Sequence, residues 1–318
     1  LQGPCAPKYE AGWQARVDAL VPKVERTIRD LRTVMTDAGY ATGDYKLIVM
    51  GYPSPIGPDF RDNPDFPGKL ICGGLGYDSD TVWGRDTAVP AFEVGMRRAA
   101  AETGAVYLDN SRLFHGHEVC TQSTWARGLW IDVTKPGLPD ANSVRQSFHP
   151  NVNGHAAFAS CLTQVYDSGL REASCADPGS TGKPVLTPGA WDDLFVPLRN
   201  EATASCLDVP ASVTRNGTEI TGWDCHGGRN QGWWYDGTTR TLRTELSHDR
   251  CLDVPGARYE AGAKLILWDC SGAANQRFVR EAGTLRPAAA TGLCLTLAAA
   301  RDTLTLRACD GSAQQRFA

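Results

Sequence analysis

The feature that most constrains this sequence is an internal repeat. Cys206-Leu-Asp-Val-Pro, Cys251-Leu-Asp-Val-Pro and Cys294-Leu-Thr-Leu follow one another at intervals of about 45 residues. Each opening has a matching close: Trp223-Asp-Cys leads to Asn230-Gln-Gly-Trp, Trp268-Asp-Cys to Asn275-Gln-Arg-Phe, and Arg307-Ala-Cys to Gln314-Gln-Arg-Phe. A unit of about 40 residues built from short β-type runs and turn residues cannot bury a core by itself. Three of them in register therefore predict one shared, threefold all-β core, and helical periodicity is absent from this part. The cysteines fall one pair to a repeat, so Cys206–Cys225, Cys251–Cys270 and Cys294–Cys309 are the simplest disulfide framework.

The residues before the repeats obey a different rule. Tyr9, Trp13, Val17, Leu20, Val24, Ile28, Leu31 and Met35 recur every three or four positions, the stripe of a long amphipathic helix stopped by Gly39. The apolar run Tyr45-Lys-Leu-Ile-Val-Met comes next, then a helix at about 89–103, the run Ala105-Val-Tyr-Leu-Asp, and a last helix at about 151–167. Strand and helix alternate, which predicts an α/β part with parallel strands. A chain of 318 residues accommodates about two domains. The Pro, Gly and Ser content after Ala173 predicts a linker over 173–189, between an α/β domain at 1–172 and a β domain at 190–318.

Charge and cysteine usage narrow the function classes. A net charge of −4 offers no basic field for phosphates, so nucleic acid is not expected as a partner. No apolar run approaches the roughly 18 residues of a membrane span. Eleven cysteines without zinc spacing indicate a disulfide-bonded, secreted protein with no metal and no cofactor. His155, His226 and His248 show no ligand spacing. The sequence opens at Leu1 with neither a start methionine nor a leader, from which an upstream segment is expected. Five cysteines lie outside the repeats. Adjacent pairing gives Cys72–Cys120 and Cys161–Cys175, and leaves Cys5 either bonded to an upstream chain or as a free thiol.

The three repeats, each ending in Gln-x-aromatic, resemble the ricin B-chain type of lectin, a β-trefoil; the likeness covers about residues 190–318. The resemblance implies one shallow sugar pocket per competent repeat, in which an Asp bonds sugar hydroxyls, an aromatic ring stacks on the pyranose and an Asn completes the polar contacts. Those positions fall at Asp208, Trp223 and Asn230 in the first repeat and at Asp253, Trp268 and Asn275 in the second, with Gln231 and Gln276 behind them. The third repeat has Thr296, Arg307 and Gln314 instead and is expected to be silent. The alternative is that all three repeats only build the fold, with Trp223 and Trp268 in its core.

In the first part, His149 stands in Gln146-Ser-Phe-His-Pro-Asn-Val-Asn-Gly-His, just ahead of the last helix, where a general base can face a cleft. This stretch, with Ile48-Val-Met-Gly-Tyr-Pro and Phe114-His-Gly-His-Glu-Val-Cys120, resembles the C-terminal part of secreted bacterial SGNH (GDSL) hydrolases. The family implies a flavodoxin-like three-layer α/β/α domain, a serine nucleophile from an early Gly-Asp-Ser motif, oxyanion donors and a late histidine base. His149 matches that base. The family's usual Asp is Gln146 here, which points to a Ser–His dyad in which the backbone carbonyl of Gln146 or Ser147 holds the imidazole. Gly-Asp-Ser and Gly-x-Asn-Asp do not occur in the sequence. Ser54, flanked by two prolines, reads as a turn residue, and His117 as a buttress of the Cys120 loop.

Two functions are therefore expected to compete. One is a secreted ester hydrolase that works through an acyl-serine, is held on glycans by its lectin module, and takes its nucleophile and oxyanion hole from an upstream chain of the same precursor linked through Cys5. The other is a non-catalytic lectin or adhesion protein in which an incomplete hydrolase domain is a scaffold.

Overall fold

The computed structural model describes residues 3–57, 78–128, 147–179 and 182–318. They form two compact units. The first comprises residues up to Asp177 and those leading to Ala190; the second is Trp191–Ala318 with Pro178 and Gly179.

The first unit opens with α1 (Ala6–Asp37), which buries Val17 and Ile28 of the expected stripe and Val21 beside it, while Leu31, near its end, is exposed. Its sheet runs in the order β1 (Ile48–Met50), β2 (Val106–Asp109), β3 (Glu172–Ala176), β4 (Val185–Pro188). The first three strands are parallel and β4 is antiparallel to β3. The connecting helices are α2 (Val89–Thr103) between β1 and β2, and α3 (Val152–Ser168) between β2 and β3. Every residue of β2 is buried, as a parallel strand covered on both faces requires. Its alternation sends Val106 and Leu108 toward Phe158 and Val165 of α3, and Tyr107 toward Ile28 of α1 and Met96 of α2. The result is helix, sheet and helix in three layers.

The expected linker at 173–189 is not one. Ala173, Ser174, Cys175 and Ala176 are buried in β3, and β4 pairs with it, so the α/β unit extends past residue 172 by two strands. Small residues misled the reading: they are typical of loops, yet they also suit a strand pressed against the helix that carries Cys161. The Cys161–Cys175 disulfide consequently joins α3 to β3 rather than to a linker. Cys120 is disulfide-bonded, whereas Cys72, its expected partner, lies outside the described residues. Cys5 is exposed and unpaired.

In the second unit β5 (Val196–Pro197) precedes the repeats. The first repeat supplies β6 (Cys206–Asp208), β7 (Thr221–Trp223), β8 (Gly232–Asp236) and β9 (Thr241–Thr244). The second supplies β10 (Arg250–Asp253), β11 (Ile266–Asp269), β12 (Phe278–Glu281) and β13 (Thr284–Pro287). The third adds β14 (Leu293–Thr296) and β15 (Thr305–Ala308). Equivalent positions meet in one core: Leu207, Leu252 and Leu295; Val209, Val254 and Leu297; Ile220, Leu265 and Leu304; and the closing aromatics Trp233, Phe278 and Phe317. Each repeat thus contributes a third of an apolar core that only its neighbours can cover, which is why the pattern repeats. Bridges Glu219–Ile266, Lys264–Thr305 and Thr221–Thr303 link the repeats in a closed ring. Arg199 and Ala318 exchange backbone hydrogen bonds of 2.9 Å, so the unit is also sealed where the chain enters and leaves it. The three repeat disulfides Cys206–Cys225, Cys251–Cys270 and Cys294–Cys309 all form.

Candidate functional site

In the lectin-like unit, strand register decides which side chains meet. Trp223 lies opposite Cys206 in the β6–β7 pair and Trp268 opposite Cys251 in β10–β11. Both rings stand outside the core, 42% and 43% exposed, against the expectation that would have buried them. Asp208 and Asp253, each only 4% exposed, sit two positions along the same strands. Asp208 Oδ2 accepts from Asn230 Nδ2 and Gln231 Nε2, both at 2.9 Å. Asp253 Oδ2 accepts from Asn275 Nδ2 and Gln276 Nε2, again at 2.9 Å. In both sets Oδ1 has no donor among the described residues. One carboxylate oxygen is thus saturated by the protein while the other remains for ligand hydroxyls, beside a ring offering an apolar face. Burial pushes the Asp253 carboxyl above its ordinary range, an effect the amides of Gln276 and Asn275 partly offset.

Gln231 and Gln276 also explain the Gln-x-aromatic motif. Besides the carboxylate, Gln231 Nε2 donates to the Asp224 carbonyl and its Oε1 accepts from His226 N; Gln276 makes the same pair with Asp269 and Ser271. Gln315 does likewise with Ala308 and Asp310, but its remaining bond goes to Thr296 Oγ1 at 3.3 Å. The third repeat keeps the loop clamp and loses the carboxylate, and Arg307 stands opposite Cys294 where the others have tryptophan.

Two side chains not singled out by the sequence join the first set. His226 Nε2 lies 3.6 Å from Asp208 Oδ2, at the place Ser271 holds in the second repeat. Arg301, from the third repeat, stacks its guanidinium 4.4 Å from the Trp223 ring centroid and donates to Asp224 Oδ2 at 2.9 Å. At the second set the corresponding carboxylate, Asp269, is met by Asn216 of the first repeat, whose Nδ2 donates to Oδ2 at 2.7 Å and whose Oδ1 accepts from Asp269 N.

In the α/β unit, Met50, Tyr52, Arg127, His149, Pro150, His155, Phe158 and Leu162 line a groove of about 740 Å³. It lies where β1 ends and α3 begins. Gly51 is needed there because a Cβ would stand 2.0 Å from Glu93 Oε2. Glu93, nearly fully buried, accepts from Tyr107 Oη at 2.8 Å and from Tyr52 N at 3.0 Å, fixing the chain as it leaves β1. Burial raises the Tyr52 phenol above its ordinary range.

The His-Pro-Asn-x-x-Gly stretch has an equally physical basis. Asn151 caps α3, its Oδ1 accepting from Asn153 N and Gly154 N while its Nδ2 donates to the Thr124 carbonyl. Gly154 is required because a Cβ would meet the Trp125 carbonyl at 2.3 Å. The Phe148 amide and the His149 carbonyl both bond to the Arg127 backbone, so the loop is pinned and the His149 side chain is exposed in the groove. Of the two carbonyls expected to hold its ring, that of Gln146 lies outside the described residues, and Ser147 is buried two positions ahead of the histidine. No serine, threonine or cysteine is among the described residues that line the groove. Ser54 is buried and donates to the Ile56 carbonyl, a turn contact away from the groove. His117 is fully buried and stacked on Trp125 at 3.7 Å, with Nδ1 2.7 Å from the Ser123 carbonyl and Nε2 2.9 Å from Asp177 Oδ2. It braces the loop on which the His149 segment rests.

Residues 194–317 match the family model of the ricin-type beta-trefoil lectin domain. Among solved structures, the designed threefold symmetric protein ThreeFoil is 24% identical over 39% of this chain and 95% of its own, with a TM-score of 0.35. The C-half of the earthworm R-type lectin in complex with GalNAc is 18% identical over 39% and 95%, with a TM-score of 0.33. The β-trefoil lectin of the Vibrio vulnificus hemolysin/cytolysin, solved with N-acetyl-D-lactosamine, is 25% identical over 39% and 92%, with a TM-score of 0.34. The second unit is a ricin-type β-trefoil lectin domain.

Proposed function

We propose that this chain binds glycans through the first two repeats of its lectin domain and holds an ester-hydrolysing α/β unit on glycan-bearing material. The observation that carries the binding part is the recurrence of one geometry, an Asp held by an Asn and a Gln beside an exposed Trp, in two repeats and not in the third. Two shallow sites on one module gain on a polymer, through effective concentration, what each lacks alone. Asp208→Ala or Asp253→Ala should weaken retention on immobilised polysaccharides partially, and the double change should abolish it. Undiminished retention of a correctly folded double variant refutes this reading.

The hydrolytic part rests on His149, which a pinned loop presents to an apolar groove at the end of β1, in a segment that resembles the base-bearing stretch of SGNH hydrolases. The family's Gly-Asp-Ser and Gly-x-Asn-Asp motifs do not occur in the sequence, so in this proposal the serine and oxyanion donors belong to a partner segment. The exposed thiol of Cys5 offers that partner an anchor, and β1, an edge strand among the described residues, offers it a place in the sheet. In this scheme His149 removes the serine proton during acylation and returns it to the leaving alcohol. The oxidised, disulfide-rich chain suits an extracellular setting. The test is a natural preparation carried through non-reducing electrophoresis and an assay with short p-nitrophenyl esters. A second chain released by reduction is expected, together with activity lost in His149→Ala; an isolated 318-residue chain that hydrolyses these esters unaided refutes the two-chain scheme. A chain that binds glycans but shows no esterase activity in any preparation leaves the non-catalytic lectin.

A further inference from the structure

The third repeat lacks a sugar set of its own, yet it carries an unusual backbone. Arg301 has φ +67°, while the equivalent positions of the first two repeats are Gly217 at +90° and Gly262 at +92°. A side chain larger than glycine's is strained there, so the residue type calls for a reason outside the loop's own folding. Its guanidinium supplies one: it reaches into the first repeat, stacks on Trp223 and binds Asp224.

The contact leaves the ring accessible. Trp223 carries a guanidinium and Trp268 has no stacked cation among the described residues, yet the two are 42% and 43% exposed. Trp223 is thus no less accessible than Trp268 although it carries the cation.

We infer that Arg301 is a positioning residue of the first sugar site, so that this site is shared between the first and third repeats. The inference rests on the proposed glycan-binding reading of Asp208, Trp223 and Asn230. Guanidinium and indole attract through the ring quadrupole, and the bond to Asp224 fixes the cation, so the ring is held in the orientation in which a pyranose stacks. An ordered ring loses less entropy when the sugar arrives. The third repeat thus serves a site although it builds none of its own.

Arg301→Gly separates this role from a structural one, because glycine accepts the left-handed backbone without strain. Binding is read on an array of galactosides, N-acetylgalactosaminides and N-acetyllactosaminides, using full chains in which Asp253→Ala leaves only the first site. Arg301→Gly should keep or raise thermal stability while weakening first-site binding by about three- to tenfold. Arg301→Lys should recover part of the affinity. Without any sugar, indole emission of the Arg301→Gly protein should shift from that of the parent as Trp223 loses its cation. In the Asp208→Ala background, which leaves only the second site, Arg301→Gly should change nothing. Unaltered or tighter first-site binding in Arg301→Gly, or equal losses at both sites, overturns the inference while leaving the sugar reading intact. A parent chain that binds none of the array overturns that reading for these sugars, and the inference with it.

Discussion

Gln276 Nε2 donates to Asp253 Oδ2 at 2.9 Å and to the Asp269 carbonyl at 2.7 Å, so one buried amide ties the acceptor carboxylate to the loop that follows the exposed tryptophan. Stability and binding therefore meet at this residue. Gln276→Ala leaves buried polar groups unpaired and should cost about 2–3 kcal/mol of stability as well as second-site binding. Gln315→Ala removes the same clamp from a repeat with no carboxylate, and should lower the melting temperature without altering sugar retention. Thermal melts and retention assays on both variants check the pair; a loss of retention from Gln315→Ala contradicts the silence of the third repeat.

The Asp253 carboxyl, raised by burial, predicts how second-site binding depends on pH. An ionised carboxylate is needed to accept from hydroxyls. Binding should be complete at neutral pH and fall as the pH drops through the raised value, before an ordinary aspartate would take up its proton. Replacing Gln276 by Leu removes the larger of the two offsetting hydrogen bonds and should move this midpoint upward. The measurement is a pH series of retention in the Asp208→Ala background. A midpoint that stays in place or moves down in Gln276→Leu excludes Asp253 as the titrating acceptor.

His117→Ala should destabilise the α/β unit by about 3 kcal/mol, since it empties a stacked, fully buried position and leaves Asp177 without its imidazole. The lectin domain should melt unchanged. Calorimetry of the full chain, with the two units as separate transitions, tests this. Equal shifts in both transitions contradict a local role.

Gly154→Ala should act on the same loop from the other side, because the added methyl must displace the Trp125 carbonyl. We expect a loss of about 2 kcal/mol and faster amide exchange over Trp125–Arg127. Unchanged exchange there means that the close approach does not pin the His149 segment.

The lectin domain was the most legible part of the sequence because its core, disulfides and Gln clamps each appear three times, so Leu207, Leu252 and Leu295 identify one another. The alternation of strand and helix before it was readable for the same kind of reason, a long periodic stripe and the short apolar run that leads through β2. What escaped were features without periodicity. Ala173 to Ala176 are too small to announce a strand. Glu93 earns its place only through Gly51 and Tyr107, neither of which is near it in sequence. His226 and Arg301 matter because the trefoil brings them to Asp208 and Trp223, and Arg301 stands 78 residues beyond the ring it stacks on. The spacing of the cysteines could not have revealed that, but a non-glycine at the position of Gly217 and Gly262 was a visible signal.

The mutual hydrogen bonds of Arg199 and Ala318 place the two ends of the trefoil side by side. Where a chain starts along such a ring is then arbitrary. Joining these ends through a short peptide and reopening the chain between the first and second repeats should give a circular permutant that still folds, and the domain should survive as an insert within a surface loop of an unrelated protein. The module is in this sense portable, a cassette whose attachment to an α/β unit is one of several architectures its geometry permits.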